Sequence, residues 1–238
     1  DILVPDVRPS ATRQHGEVSL SLISEVSLSL ISEAWLDATA FTLWQAPVTW
    51  AEVLGDLTGL ACVWLLTRQS IWNWPMGLAN NVFWALLFYR AKLYGDATLQ
   101  GIFFALGCYG WWRWRTPVGK LREPQRVRST SRREWLVLGG ISLLATVLVT
   151  ALLATKTDSP APLADASVLT LSLAATWGQA QRLLESWWIW IAVDVISVPL
   201  YVSRALYPTA ALYVLFALLC VQGLRAWTRD PTRVKAAV

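Results

Sequence analysis

The chain is poor in the side chains that soluble enzymes use for chemistry. Of its 238 residues one is histidine and three are cysteine, and Asp, Glu, Lys and Arg together reach only 15%. His15 stands outside every apolar stretch, which excludes histidine-based catalysis and histidine-rich metal sites. Cys62, Cys108 and Cys220 fall in three different apolar stretches without CxxC spacing, so they read as small core residues rather than a redox or metal centre. No GxxxxGK[ST] run is present, which leaves ATP-driven pumping by this chain unsupported. What the chain has in excess is apolar surface: 55% hydrophobic residues and 16 tryptophans, more than a soluble domain of this length keeps in solution. An integral membrane protein is expected, with the lipid bilayer as its surroundings and no cofactor. The net charge of +4 follows from where the cations lie and calls for no nucleic-acid partner.

A helix crosses a bilayer with about 20 mostly apolar residues. Seven such stretches predict an all-α membrane protein: Trp50–Thr67, Ser70–Tyr89, Gly95–Trp112, Trp135–Thr155, Asp165–Gln181, Ser186–Ser203 and Ala205–Trp227. Between the third and fourth lies a basic loop, residues 116–134, which with its flank carries Arg113, Arg115, Lys120, Arg122, Arg126, Arg128, Arg132 and Arg133 against Glu123. Such a loop belongs in the cytoplasm. The C-terminal tail, 228–238, with Arg225 just before it and Arg229, Arg233 and Lys235 within it, is then cytoplasmic as well, and seven crossings place the N-terminus outside. Arg90, Lys92 and Arg204 fall on the outer side, where long cationic side chains snorkel to headgroups.

A block of the chain recurs at an offset of 113 (187 − 74): Trp74 as Trp187, Leu93-Tyr94 as Leu206-Tyr207, Leu99 as Leu212, Phe103 as Phe216, Gly110 as Gly223 and Trp114 as Trp227. Two similar units in lipid are the mark of a transporter built from repeats. Residues 50–115 form the first three-helix unit and 165–227 the second. Because three is odd, a linking helix at 135–155 must restart the second unit from the same side, which predicts parallel repeats in a 3+1+3 bundle. The first 49 residues stand apart. Val18–Glu25 and Val26–Glu33 both read VSLSLISE, a local duplication that forms either an amphipathic surface helix or a disordered extension. It lacks the basic start and uninterrupted apolar core of a secretory signal.

The sixth stretch carries the strongest chemical signal. Trp187, Trp190, Asp194, Ser197 and Tyr201 recur three or four apart, so they share one broad helical face. A carboxylate inside a membrane helix costs at least ~2.5 kcal/mol and faces a cavity, a partner or a substrate. No Lys or Arg lies in the stretches at its depth, which leaves a ligand as the charge partner of Asp194. The two tryptophans are suited to a flat or cationic ring, whereas Trp188 points away and reads as interfacial belt. In the second stretch Asn73, Gly77, Asn80 and Trp84 share a face, with Asn81 and Trp74 beside it and Gln100 in the third stretch as a further amide. Amides in membrane helices also bond neighbouring helices, so both roles are open for each asparagine. Pro75 and Pro199 are candidate kinks and hinges.

Taken in order, Ile71-Trp72-Asn73-Trp74-Pro75-Met76-Gly77-Leu78, Leu93-Tyr94-Gly95-Asp96, Leu99-Gln100, Tyr109-Gly110-Trp111 with Trp114, and Glu185-Ser186-Trp187-x-x-Trp190 with Asp194-Val195-Ile196-Ser197 resemble the PnuC family of bacterial vitamin transporters. The resemblance covers about 50–227. It implies a SWEET-like fold in the bacterial inner membrane and uptake of nicotinamide riboside by facilitated diffusion, with trapping by a cytosolic riboside kinase. It maps the family's ligand-binding WxxW onto Trp187 and Trp190, the following Asn onto Asp194, the second-helix Asn onto Asn80 and the third-helix Gln onto Gln100. Asp194 departs from the family's Asn, and its carboxylate suits the pyridinium of nicotinamide riboside or the cationic ring of thiamine. A membrane enzyme using Glu52, Asp56 or Asp194, and a purely structural subunit, are the readings from other classes. Trp-rich outer faces leave room for a homo-oligomer.

Overall fold

The computed structural model describes residues 38–43, 46–90, 92–117 and 126–234. The VSLSLISE duplication, His15, Lys120, Arg122, Glu123 and Lys235 lie outside the described residues. At the N-terminal edge, β1 (Thr39–Leu43) pairs antiparallel with β2 (Ala46–Thr49). Residues 39–43 and 46–49, at the end of the 1–49 segment, form a hairpin: Thr39, Phe41, Thr42, Val48 and Thr49 are β-branched or aromatic residues that favour a pleated backbone. The hairpin feeds directly into the first helix through a capping box, in which Thr49 N donates to Glu52 Oε2 at 2.7 Å and Glu52 N donates to Thr49 Oγ1 at 3.2 Å. Glu52, a candidate acid, is therefore occupied as a helix cap.

Seven helices follow: α1 (Trp50–Thr67), α2 (Asn73–Arg90), α3 (Tyr94–Arg115), α4 (Arg132–Lys156), α5 (Pro162–Ala180), α6 (Ser186–Ser203) and α7 (Tyr207–Thr228). Of these, α1, α4, α6 and α7 are long and apolar enough on their own to cross a membrane. The predicted linking helix begins earlier than Trp135, because Ser131 and Glu134 form a second capping box ahead of it. Pro75 also differs from expectation. It is the third residue of α2, in the first turn, where a missing N–H costs no helical bond and no kink is required. Pro199, by contrast, lies inside α6.

The main helix contacts run α1 to α2, α2 to α3, α3 to α5, α5 to α6, α6 to α7 and α7 back to α1, closing a ring of six. In these contacts α4 meets α5 alone, with Thr146 and Thr170 hydroxyls 2.6 Å apart. It has no buried residue, and Leu136, Ile141, Leu143 and Leu148 are exposed, as befits a helix turned toward lipid.

Positions 113 apart do the same structural work. Gln69 and Arg182, ending α1 and α5, have φ of 53° and 54°; Lys92 and Ala205, after α2 and α6, have φ of 60° and 58°. Each left-handed residue turns the chain so that the next amide reaches back to a helix carbonyl: Ser70 N to Leu65 O at 3.0 Å matches Leu183 N to Gly178 O at 2.9 Å. Gly110 and Gly223 let Trp74 and Trp187 lie directly on the backbones of α3 and α7, where a Cβ would collide with either ring. Trp74 meets Trp114 edge-on at 5.5 Å, and Trp187 meets Trp227 edge-on at 5.4 Å. Trp114 Nε1 donates to Gln179 O at 3.1 Å and Trp227 Nε1 to Leu66 O at 3.2 Å, so each unit's third helix is tied to the other unit's first. Trp114 and Trp227 meet each other at 6.2 Å in the middle of the core.

Candidate functional site

The second unit presents buried polar atoms with no protein partner. Along α6, Asp194 is 2% exposed and Ser197 fully buried, yet Asp194 Oδ2, Ser197 Oγ and Trp190 Nε1 accept or donate no hydrogen bond. Leaving a polar group buried and unpaired costs roughly 1–3 kcal/mol, and with Trp187 Nε1 on the preceding turn four such atoms follow one another along this helix. The same helix brings Tyr201 against Tyr213 of α7, rings 5.0 Å apart. The Tyr213 side chain lies within electrostatic range of Asp194 and of Asp56 on α1, and the Cys220 thiol stands beside Asp194. Asp194 forms no ion pair among the described residues. Trp187, next in the predicted face, is fully buried between Gly223 and Trp227 and belongs to the scaffold end of this face.

In the first unit most of the matching face is taken up by α1. Asn73 Nδ2 donates to Ser70 O at 2.6 Å, the counterpart of Ser186 Oγ donating to Leu183 O at 2.7 Å; both close a helix start. Asn80 Nδ2 donates to Thr58 Oγ1 at 2.7 Å and Gly55 O at 2.9 Å. The Trp84 indole fills the space over Gly55, and Gly77 sits beside the Cys62 thiol. Trp74 packs on Gly110 as Trp187 does on Gly223. Asn81 and Gln100 lie together elsewhere, lining a groove of about 400 Å³ between α2 and α3 with Val82, Leu86, Tyr89 and Phe104. The predicted residues therefore fall into three groups: the α6 face, the amide pair of the α2–α3 groove, and Asn73, Asn80 and Trp74, which hold helices together.

A second polar network, not foreseen from the sequence, closes one end of the ring. Arg182 Nη1 donates to Gln69 Oε1 at 3.0 Å, Gln69 Nε2 donates to Asp230 Oδ2 at 2.7 Å, and the Arg182 guanidinium lies 3.8 Å above the Trp114 ring. Burial lowers Arg182 to about 10, with Asp230 opposing it, so the side chain stays charged near neutrality. Burial raises Asp230, but bonds from Gln69 and Thr232 and the charge of Arg182 outweigh it and leave this carboxyl below its usual range. The signal was available: Gln69 and Arg182 are themselves 113 apart (182 − 69).

Comparison with known proteins accounts for this architecture. The riboflavin/roseoflavin transporter RibM of Streptomyces davaonensis is 29% identical over 81% of this chain and 91% of its own length. The nicotinamide riboside transporter PnuC of Escherichia coli is 24% identical, covering 76% of this chain and 85% of that one. The crystal structure of the vitamin B3 transporter PnuC superposes with a TM-score of 0.60 at 22% identity, covering 93% of this chain and 92% of the other, and thereby shares the fold. Together with the apolar helices, these relatives identify a multi-pass membrane transporter and not an enzyme. The nicotinamide mononucleotide transporter family model matches residues 49–229, and the chain belongs to that family.

Proposed function

We propose that this transporter takes up nicotinamide riboside by facilitated diffusion across the bacterial inner membrane, with trapping by a cytosolic riboside kinase. The observation that carries the reading is the set of buried, unpaired atoms Asp194 Oδ2, Trp190 Nε1 and Ser197 Oγ on adjacent turns of α6. A pyridinium is a flat cation: Trp190 supplies a ring face, worth about 0.5–2 kcal/mol to a cation, and Asp194 supplies the opposite charge. Ser197 and Tyr201 offer hydroxyls for the ribose, and Asn81 and Gln100, in the α2–α3 groove, are further amides for contact with substrate away from the Asp194 charge. Trp187 and Trp74 hold the α6 and α2 walls in place, and Asn73 and Asn80 fix α2 against the first turn and α1.

The architecture that serves this reading is seven spans in two parallel three-helix units joined by α4, SWEET-like, with the N-terminus outside and the tail in the cytoplasm. The six-helix ring, the reciprocal Trp114 and Trp227 bonds and the basic 113–133 segment support it. Uptake of labelled nicotinamide riboside by proteoliposomes, with thiamine and riboflavin as competitors, tests the substrate; no riboside uptake alongside rapid uptake of another vitamin would overturn it. A flavin is the second reading, favoured by the 29% identity to a riboflavin/roseoflavin transporter. Riboflavin carries no cationic ring, so Asp194→Asn separates the two: riboside uptake falls, and flavin uptake does not.

A further inference from the structure

The end of the ring that carries the linker and the tail is closed by more than helix packing. Residues 127–130 of the linker run as a strap between the α5–α6 turn and the tail. Arg128 N donates to Arg182 O at 3.1 Å and Leu184 N to Arg128 O at 2.9 Å; on the other side Ser129 N donates to Val234 O at 3.2 Å and Val234 N to Val127 O at 2.9 Å. Glu185 Oε2 accepts from Thr130 N at 2.8 Å and Thr130 Oγ1 at 2.7 Å, and Arg233 Nη2 donates to Ser129 Oγ at 3.1 Å. Val127 is fully buried in the cluster of Trp74, Trp114, Trp187 and Trp227, which draws on both units.

Just above the strap, equivalent residues of the two units meet on the axis: Gln69 with Arg182, and Trp114 with Trp227. A substrate leaving by this end must pass where these pairs touch. The units therefore have to part here, breaking the Arg182–Gln69 bond, the Gln69–Asp230 bond and the two tryptophan N–H bonds to Leu66 and Gln179. Parting the tryptophan cluster also unseats Val127, because its pocket is made from both sides.

We propose that Gln69 and Arg182 are the closing pair of a gate at the linker and tail end, and that residues 127–130 are a latch setting how often it opens. The inference rests on the transport reading but not on the identity of the substrate.

Two experiments on the full chain in proteoliposomes test it, with labelled nicotinamide riboside as the probe. Bridging Gln69→Cys/Arg182→Cys with a short bis-maleimide is expected to slow uptake at least about tenfold, since a step that gates turnover limits its rate. The reagent leaves each single variant at the rate that the same variant has before treatment, so only the bridge accounts for the slowing. Val127→Ala loosens the latch without adding bulk or charge; hydrogen exchange at the Leu184 and Val234 amides should quicken and uptake should rise by about twofold or more. A bridged protein that transports at the unbridged rate overturns the gate, and faster amide exchange with unchanged uptake overturns the latch. Absence of riboside uptake by the unaltered protein counts against the substrate assignment instead, and the bridged and Val127→Ala proteins are then read by the same criteria with labelled riboflavin.

Discussion

The two three-helix units share a scaffold and differ in what they enclose. At Gly110 and Gly223 the same tryptophan lies on the same glycine, and the third helices reach across to matching carbonyls. Over the middle of the helices the correspondence breaks. Gly55 and Trp84 of the first unit are Val168 and Ser197 in the second, and Cys62 and Gly77 are Ala175 and Trp190. Large and small residues have changed places, so the space a tryptophan fills beside α1 in one unit is bordered by a serine with an unpaired hydroxyl in the other. Likewise Asn81 corresponds to Asp194 and Gln100 to Tyr213. Positions that hold the units together must be alike because each unit is the other's partner. Positions over the middle of the helices carry no such requirement, and there the repeat diverged.

Breaking the shared part should have the largest effect, and an equal one in both units. Gly110→Leu and Gly223→Leu each drive a side chain into a tryptophan ring, and each should cost about 3 kcal/mol, the upper end for overpacking. Thermal unfolding in detergent checks this; a large effect at one glycine and none at the other would mean the scaffold is not shared. Making the second unit resemble the first comes next. Val168→Gly/Ser197→Trp should fold and yet lose uptake by about 100-fold, because the indole occupies the space beside Ser197 that a bound ligand needs. Unimpaired uptake would show that this space is not on the path.

Charge is a smaller lever. Asp194→Asn gives α6 the amide that α2 carries at Asn81, and should weaken riboside uptake about tenfold, equivalent to ~1.4 kcal/mol. Asn81→Asp should not restore it, since that position faces the α2–α3 groove. Competition assays over a range of riboside concentrations measure both. The smallest effect is expected at Asp230, where only the second unit supplies a tail carboxylate to the gate. A carboxyl with a lowered folded pKa stabilises the fold above its unfolded value, near 3.9, and loses that contribution as pH falls through the folded value. Asp230→Asn should therefore lower the melting temperature slightly at pH 7, with the difference from the unaltered protein fading as pH falls below the unfolded value and through the lowered folded one. A difference that persists there would assign the effect to packing rather than charge.

The linear chain already displays the membrane character, the doubled unit and the face of α6, because each is a matter of composition or of spacing along one helix. The offset of 113 located Trp74, Trp187, Trp114 and Trp227 before any contact was known. Tertiary structure alone decided which polar side chains have work inside the protein. Asn73 and Asn80 also look suited to a ligand, yet each has an acceptor within 3 Å, on the preceding turn for Asn73 and on α1 for Asn80. Pro75 looks like a kink until its helix is seen to begin at Asn73, and residues 39–49 pair as a hairpin because each strand supplies the other's hydrogen bonds. Periodicity is a local property and can be read from order. Whether a buried donor or acceptor is satisfied depends on groups brought near it by packing, up to 161 positions away for Gln69 and Asp230, and that distance is set only when the ring closes.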